Sequence, residues 1–191
     1  MPKTLGVQLC CALLTLGCLA GGTGKAMSPM QSAKVERFKA RIDFDAVLSR
    51  ERPAKRSVIA WPDMLKAPGL AAGQWQVAAD TTWQPSGGAA RQWVLRRGPE
   101  QLAIVVFVSS DGPGPAREFF VSRATDNMME DSPFVRLQDG PGTLAVGMPE
   151  GTPSSMIWLD NNLCFAVRAI DTDVAVLPIA RWLQSVAAAG Q

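Results

Sequence analysis

The chain has 191 residues, with 19 lysines and arginines against 17 aspartates and glutamates, and it contains no histidine and no tyrosine. The lack of histidine excludes Ser-His-Asp and Cys-His catalytic groups and histidine-ligated zinc sites. No lysine follows Lys66, which also excludes a Ser-Lys pair in the C-terminal two-thirds. Catalysis beyond Lys66 would have to use Asp, Glu, Ser, Arg or Cys164, and this narrow choice argues against an enzyme.

The first residues resemble a bacterial export signal. Lys3 precedes an apolar run over residues 5–16, and small residues follow as far as Gly24. A short basic start, an apolar middle and small residues at the cleavage point are the parts of such a signal. We therefore expect residues 1–17 to be a signal peptide, of the lipoprotein or the ordinary type, and the protein to be exported to the periplasm.

Three fates of this leader stay open. Residues 14–17 resemble a lipobox with glycine ahead of the cysteine, so cleavage there would make Cys18 the lipidated first residue. An ordinary signal peptidase would instead cut after Ala20 or Ala26, where small residues occupy the positions that it reads. The third fate is an uncleaved anchor, because the apolar stretch is close to the shortest length that spans a membrane.

A tether and a basic segment follow the leader. Residues 18–28 are expected to be a flexible tether and residues 29–56 a basic helical segment. Residues 21–66 carry ten basic against five acidic side chains. Such a segment lies against its own acidic domain, is solvated, or contacts anionic lipid or an acidic partner. Apolar residues recur at helical spacings of three and four, at Val35, Phe38, Ile42 and Ala46.

Strand patterns dominate from residue 57 onward. The run 102–108 is continuously apolar and rich in β-branched residues, which is typical of a central strand covered on both faces. Four later candidates have connections short enough to force antiparallel pairing. The predicted strands are 57–61, 75–77, 91–96, 102–108, 134–138, 143–148, 155–160 and 163–170, with a loop over 63–73 and a turn over 85–88.

Two more helices are predicted within this region. Pro115 suits the first position of a helix whose apolar stripe has a spacing of four. The last helix is expected to be capped by Asp171, Thr172 or Asp173, with Pro178 starting or kinking it. The stripes expected to be buried are Ala116, Phe120, Ala124 and Met128 in the first helix, and Leu177, Ala180, Leu183 and Val186 in the second.

This order of elements indicates an α+β fold, in which a twisted antiparallel sheet has helices packed on it. We expect residues 57–188 to be a single domain of this class. Over roughly residues 57–187, the order of elements resembles the Mog1/PsbP/DcrB-like group of exported domains. The resemblance implies a small binding or assembly-accessory module without a catalytic centre, and it transfers no site residues.

Three residues are candidates for ligand contact. Trp83 lies among polar neighbours and is the tryptophan best placed for an exposed contact. The loop 109–114, which contains Asp111, would present backbone N–H groups to an anion ahead of a helix, and Arg117 in the first turn would add charge. No catalytic residue and no cofactor are predicted. No metal ligand is predicted either, because the two Asp-x-Asp pairs offer too few oxygens for a hard cation.

The sequence therefore favours a non-catalytic cell-envelope protein, anchored in the membrane by lipid, that binds or helps to assemble an envelope protein or a cell-wall component. Export and the small net charge argue against nucleic acid as a partner. One alternative is a periplasmic hydrolase or glycan-acting enzyme with paired carboxylates drawn from Glu100, Glu118, Glu150 and Asp160. The other is an inhibitor or immunity-type protein that blocks an exported enzyme.

Overall fold

The computed structural model describes residues 27–51, 61–71, 73–126, 131–148 and 154–188. Within these ranges the chain forms one antiparallel sheet with helices packed on it, so the expected α+β class is confirmed. The strands are β1 Gln76–Trp83, β2 Gly88–Arg97, β3 Glu100–Ser109, β4 Val135–Leu137, β5 Leu144–Gly147, β6 Ser155–Asp160 and β7 Leu163–Ile170. Their order across the sheet is β1-β2-β3-β7-β6-β5-β4.

Helices cover both faces of the sheet and create two cores. One core lies between the sheet and α4, and the other lies between the sheet and α1, α2 and α3. We call these two sides the α4 face and the three-helix face. The helices are α1 Pro29–Arg41, α2 Phe44–Leu48, α3 Pro113–Thr125 and α4 Val176–Ala188.

The central strand β3 packs on both faces, as its unbroken apolar sequence predicts. Side chains of a strand alternate between faces, so Leu102 and Ile104 enter the core under α4. Phe107 enters the core under α3. All three side chains are fully buried.

The basic N-terminal segment packs against the domain. Ser28 caps α1 through its side chain, and Gln31 completes the capping box. The predicted single helix is two helices, because Asp43 adopts a left-handed conformation with φ of 54° and turns the chain between them. This turn allows both Ile42 and Phe44, only two residues apart, to enter the core on the three-helix face.

The buried stripe predicted for α3 agrees with the structure better than the one predicted for α4. The stripe of α3 is buried at Ala116, Phe120 and Ala124, as predicted, whereas Met128 lies outside the described residues. In α4 the predicted Leu177 and Val186 are only half-buried. Ala180 and Leu183 are buried as predicted, and Val176, Ile179 and Ala187 complete the buried stripe.

Three smaller differences concern the segments around the sheet. Positions 57–60 of the first predicted strand lie outside the described residues, and Trp61 is not in a strand but packs edge-on against Trp93. Strand β1 extends far beyond the predicted 75–77. The predicted caps of the last helix are wrong, because α4 begins at Val176, after Asp171, Thr172 and Asp173. The Thr172 hydroxyl accepts from the backbone N–H of Val174, ahead of the first helical residue.

Gly142 occupies a position that no other residue fits. Its φ is +72°, and a Cβ there would lie 2.2 Å from the carbonyl oxygen of Leu159. We expect Gly142→Ala to lower the free energy of unfolding by about 2 kcal/mol, measured by denaturant titration. Gly98→Ala is the matched control, because Gly98 has a φ of +59° and nothing within 4 Å of the added Cβ. Equal losses in the two variants would contradict a steric role for Gly142.

Candidate binding surface on the sheet

Two of the three predicted contact residues lie at the same end of the sheet. Trp83 ends β1 and is half-buried. Asp111 lies in the loop between β3 and α3, where it accepts a hydrogen bond from the Ser110 hydroxyl at 3.0 Å. The turn between β1 and β2 packs against this loop, since a Cβ at Gly87 would lie 3.7 Å from the Asp111 carboxylate.

The third predicted residue, Arg117, has a different environment. Its Nη2 lies 3.2 Å from the carboxylate of Glu51, whose side chain is only 4% exposed. The same nitrogen is 3.5 Å from the carbonyl oxygen of Leu48, at the end of α2. The structure therefore directs Arg117 toward α2, where it holds the N-terminal segment.

The arginine that contacts Trp83 is Arg123, which no sequence pattern indicates. Its guanidinium carbon lies 5.9 Å from the centre of the Trp83 ring and 4.9 Å from that of Phe119. Phe119 in turn stacks on Phe107, with ring centres 4.6 Å apart and planes inclined by 11°. Cation–π contacts of this kind favour a guanidinium that has lost part of its hydration.

Arg123 lacks a carboxylate partner among the residues that the structure describes. Burial lowers the pKa of its guanidinium, while the nearby charge of Asp126 acts in the opposite direction. No ion pair within 4 Å connects Arg123 to Asp126 in the described ranges. A desolvated cation without a bound anion is less stable than a paired one, so this position favours the approach of a negative group.

Beside Arg123, part of the three-helix face of the sheet is not covered by the described helices. Helix α3 packs over β3, β6 and β7. Further along the strands, the side chains that alternate onto the same face are exposed or half-buried. We call this region the open face; it consists of Gln76, Ala79, Thr81, Gln92, Val94, Arg96, Gln101, Ala103, Arg168 and Ile170.

The open face carries positive charge and no acidic residue. Arg96 and Arg168 are both exposed, and neither makes an ion pair or hydrogen bond with another described residue. Arg96 is paired in register with Gln101, and Arg168 with Ala103. Two strand spacings across the sheet and two residues along it place their Cα atoms about 12 Å apart.

The arginine on the opposite face of β2 shows the contrast. Arg91 binds Asp80 through two hydrogen bonds, of 2.8 and 2.7 Å, and lies over the rings of Trp61 and Trp93. Its hydrogen bonds hold the pKa of the Asp80 carboxyl below the ordinary value. The cations on the α4 face of this strand are thus neutralised within the protein, whereas Arg96 and Arg168 on the open face lack an anionic partner among the described residues.

The carboxylates considered for an enzyme do not share a site in the described structure. Glu100 begins β3 and pairs with Arg97, whereas Asp160 lies at the other end of the sheet, about 26 Å away along the strands. Asp160 accepts a hydrogen bond from Gln184 of α4, while Glu118 lies on α3 across the sheet. Glu150 falls outside the described residues.

Other reactive groups are sparse in the part of the chain that the structure describes. Burial raises the pKa of the Cys164 thiol well above its ordinary value of 9.0, which keeps it protonated and unreactive. The described ranges contain no group of three or more Cys, Asp or Glu side chains arranged to hold a metal ion. None of the described helices is both long enough and apolar enough to cross a membrane.

Comparison with known proteins adds no family to these observations. No family model, no curated protein and no solved structure matches the chain. The similarity to the Mog1/PsbP/DcrB-like group therefore stays a prediction from the order of elements. The described residues form an α+β domain in which the described helices leave an arginine-bearing sheet face uncovered.

Proposed function

We propose that this protein is a non-catalytic binding or assembly-accessory protein of the bacterial cell envelope, and that the open face is its binding surface. The observation that carries the proposal is the pair of exposed arginines, Arg96 and Arg168, on a sheet face without acidic residues. Sheet residues hold such side chains at fixed spacings, so the surface is organised before a partner arrives. The partner is an envelope protein or a cell-wall component.

The export signal and the lipobox-like residues support a membrane anchor at Cys18, which lies outside the described residues. The eleven residues 18–28 reach at most about 40 Å when fully extended, so a lipid on Cys18 keeps α1 within that distance of the membrane. Several acyl chains hold a protein at a membrane much more strongly than a few basic side chains. The anchor therefore fixes the location, and the domain is free to bind.

The anchor is tested by replacing its cysteine. We expect Cys18→Ala to move the protein from the membrane fraction to the soluble periplasmic fraction, because the site of lipid attachment is lost. The measurement is immunodetection after cell fractionation, with mass spectrometry of the mature N-terminus. Cys164→Ala is the matched control and should leave the protein at the membrane, since that thiol is buried in the core. Membrane retention of Cys18→Ala would contradict lipid anchoring.

The binding surface is tested by cross-linking in intact cells. A photoreactive amino acid at Gln92, a half-buried residue of the open face on β2, is expected to give a reproducible cross-linked species of defined mass. The same group at Ser185, an exposed residue of α4 on the other side of the sheet, serves as the control. Cross-linking at Ser185 but not at Gln92 would refute the assignment of the open face.

A further inference from the structure

We infer that the partner segment recognised by the open face is an acidic stretch of polypeptide with two carboxylates about 12 Å apart. The inference rests on the proposed function, because it takes the open face as the binding surface. It adds the chemistry of the partner, which follows from the charge, the neutral side chains and the spacing on that face.

The charge of the face selects a negative partner. Arg96 and Arg168 project from the same face and have no protein anion to neutralise them among the described residues. Arg123 borders the same face, held between Trp83 and Phe119. A guanidinium presents two parallel N–H donors that match the two oxygens of a carboxylate, so each exposed arginine fits one acidic side chain.

The neutral side chains of the face favour a polypeptide over a lipid surface. Gln76, Gln92 and Gln101 supply amide donors and acceptors that suit the peptide groups of a bound chain. Val94 and Ala103, which are paired in register, form a small apolar patch between these glutamines. The large apolar side chains that the described structure leaves exposed, Met27, Met30 and Val77, all lie outside the open face, so the face lacks groups that insert into lipid.

The spacing of the arginines sets the pattern of the partner. An extended chain advances about 3.3 Å per residue, so two side chains four positions apart lie about 13 Å apart and on the same side. This matches the separation of about 12 Å between the Cα atoms of Arg96 and Arg168. The residue midway between the two acids would then lie over β3, between Gln101 and Ala103, where a small side chain fits.

The test uses the full-length chain and synthetic peptides with an uncharged fluorescent label. The probe has two glutamates four positions apart in a threonine- and valine-rich sequence that favours an extended chain. Its control has glutamine at both positions. The protein variant is Arg96→Glu with Arg168→Glu, and its matched control is Arg50→Glu with Arg181→Glu. The control removes the same charge from two exposed arginines elsewhere that also lack a partner among the described residues.

Fluorescence anisotropy gives the dissociation constant of each pair. We expect the open-face variant to weaken binding of the glutamate peptide about tenfold or more, and the control variant by less than about twofold at physiological salt. Equal weakening in both variants would show non-specific attraction and overturn the inference. Absence of peptide binding would also overturn it.

A membrane is the competing partner and is tested in the same series. Vesicles of phosphatidylglycerol and phosphatidylcholine replace the peptide in a sedimentation assay with the same variants. Vesicle binding that depends on Arg96 and Arg168, with no peptide binding, would overturn the peptide inference while leaving the open face as the binding surface. Failure to obtain a cross-link at Gln92 in cells would instead count against the proposed function, so the two failures are distinguishable.

Discussion

Replacing Glu51 with alanine is expected to lower the free energy of unfolding by about 3 kcal/mol, because it removes a buried charge with three partners. Its carboxylate accepts from the Thr143 hydroxyl at 2.7 Å and from the backbone N–H of Asn161 at 2.9 Å, and it pairs with Arg117 at 3.2 Å. The variant leaves the Arg117 guanidinium without its carboxylate, and Nε of that side chain is already buried without a hydrogen bond in the described structure. Thermal unfolding should show a Tm about 6–12 °C lower.

Two companion variants separate charge from hydrogen bonding at this position. Glu51→Gln keeps an acceptor for Thr143 and Asn161 but loses the charge that Arg117 needs, so it should lie between wild type and Glu51→Ala. Glu36→Ala removes a carboxylate whose side chain is 69% exposed and which forms an ion pair with Lys39 on the same helix. Its effect should stay within about 0.5 kcal/mol. A Glu51→Ala variant as stable as Glu36→Ala would contradict a structural role for Glu51.

The second large effect is expected from Trp158, which is fully buried on the α4 face. Its ring stacks on Phe165, with centres 4.9 Å apart, and its Nε1–H donates to Gln184 at 3.0 Å. Trp158→Ala should cost about 4 kcal/mol, because a large cavity opens between the sheet and α4. Denaturant titration followed by circular dichroism measures the loss, and an unchanged m-value would confirm that unfolding stays two-state.

Trp158→Phe distinguishes the ring contact from the polar one. Phenylalanine keeps an aromatic ring beside Phe165 but removes the donor to Gln184, whose amide also donates to Asp160. We expect a smaller loss, of about 1–2 kcal/mol, from the smaller ring and the lost hydrogen bond. If Trp158→Phe were as unstable as Trp158→Ala, the link from the sheet to α4 through Gln184 would dominate over ring packing.

Much of the fold could be predicted because local chemistry and burial agree. Gly98 and the Asn161–Asn162 pair make tight turns between apolar runs, so the strands on either side were expected close to their observed bounds. Strand β1 was mostly missed because it lies at the edge of the sheet. Its residues from Gln76 to Thr82 are exposed, and therefore the apolar alternation that marks a half-buried strand is absent.

The candidate surface could not be predicted because tertiary register creates it. Arg96 and Arg168 are far apart in the sequence and come together only because β3 pairs with both β2 and β7. Alternation assigns each arginine to one side of its own strand but does not reveal which side the helices leave uncovered. The same limit applies to Arg123, because only packing brings it to Trp83 and no sequence pattern indicates that contact.

One feature of the sheet bears on how the chain folds. Among the described strands, each hydrogen-bonded pair joins neighbours in the sequence except β3 and β7. Two hairpin stacks, one on each side of α3, are therefore able to assemble from short-range encounters, and their union requires closure of a long loop. Non-local pairing of this kind is slow compared with hairpin formation, so the union of β3 with β7 is the step expected to set the folding rate. Helix α3 lies across this same junction and packs on both strands, so the segment that connects the two stacks also clamps them together.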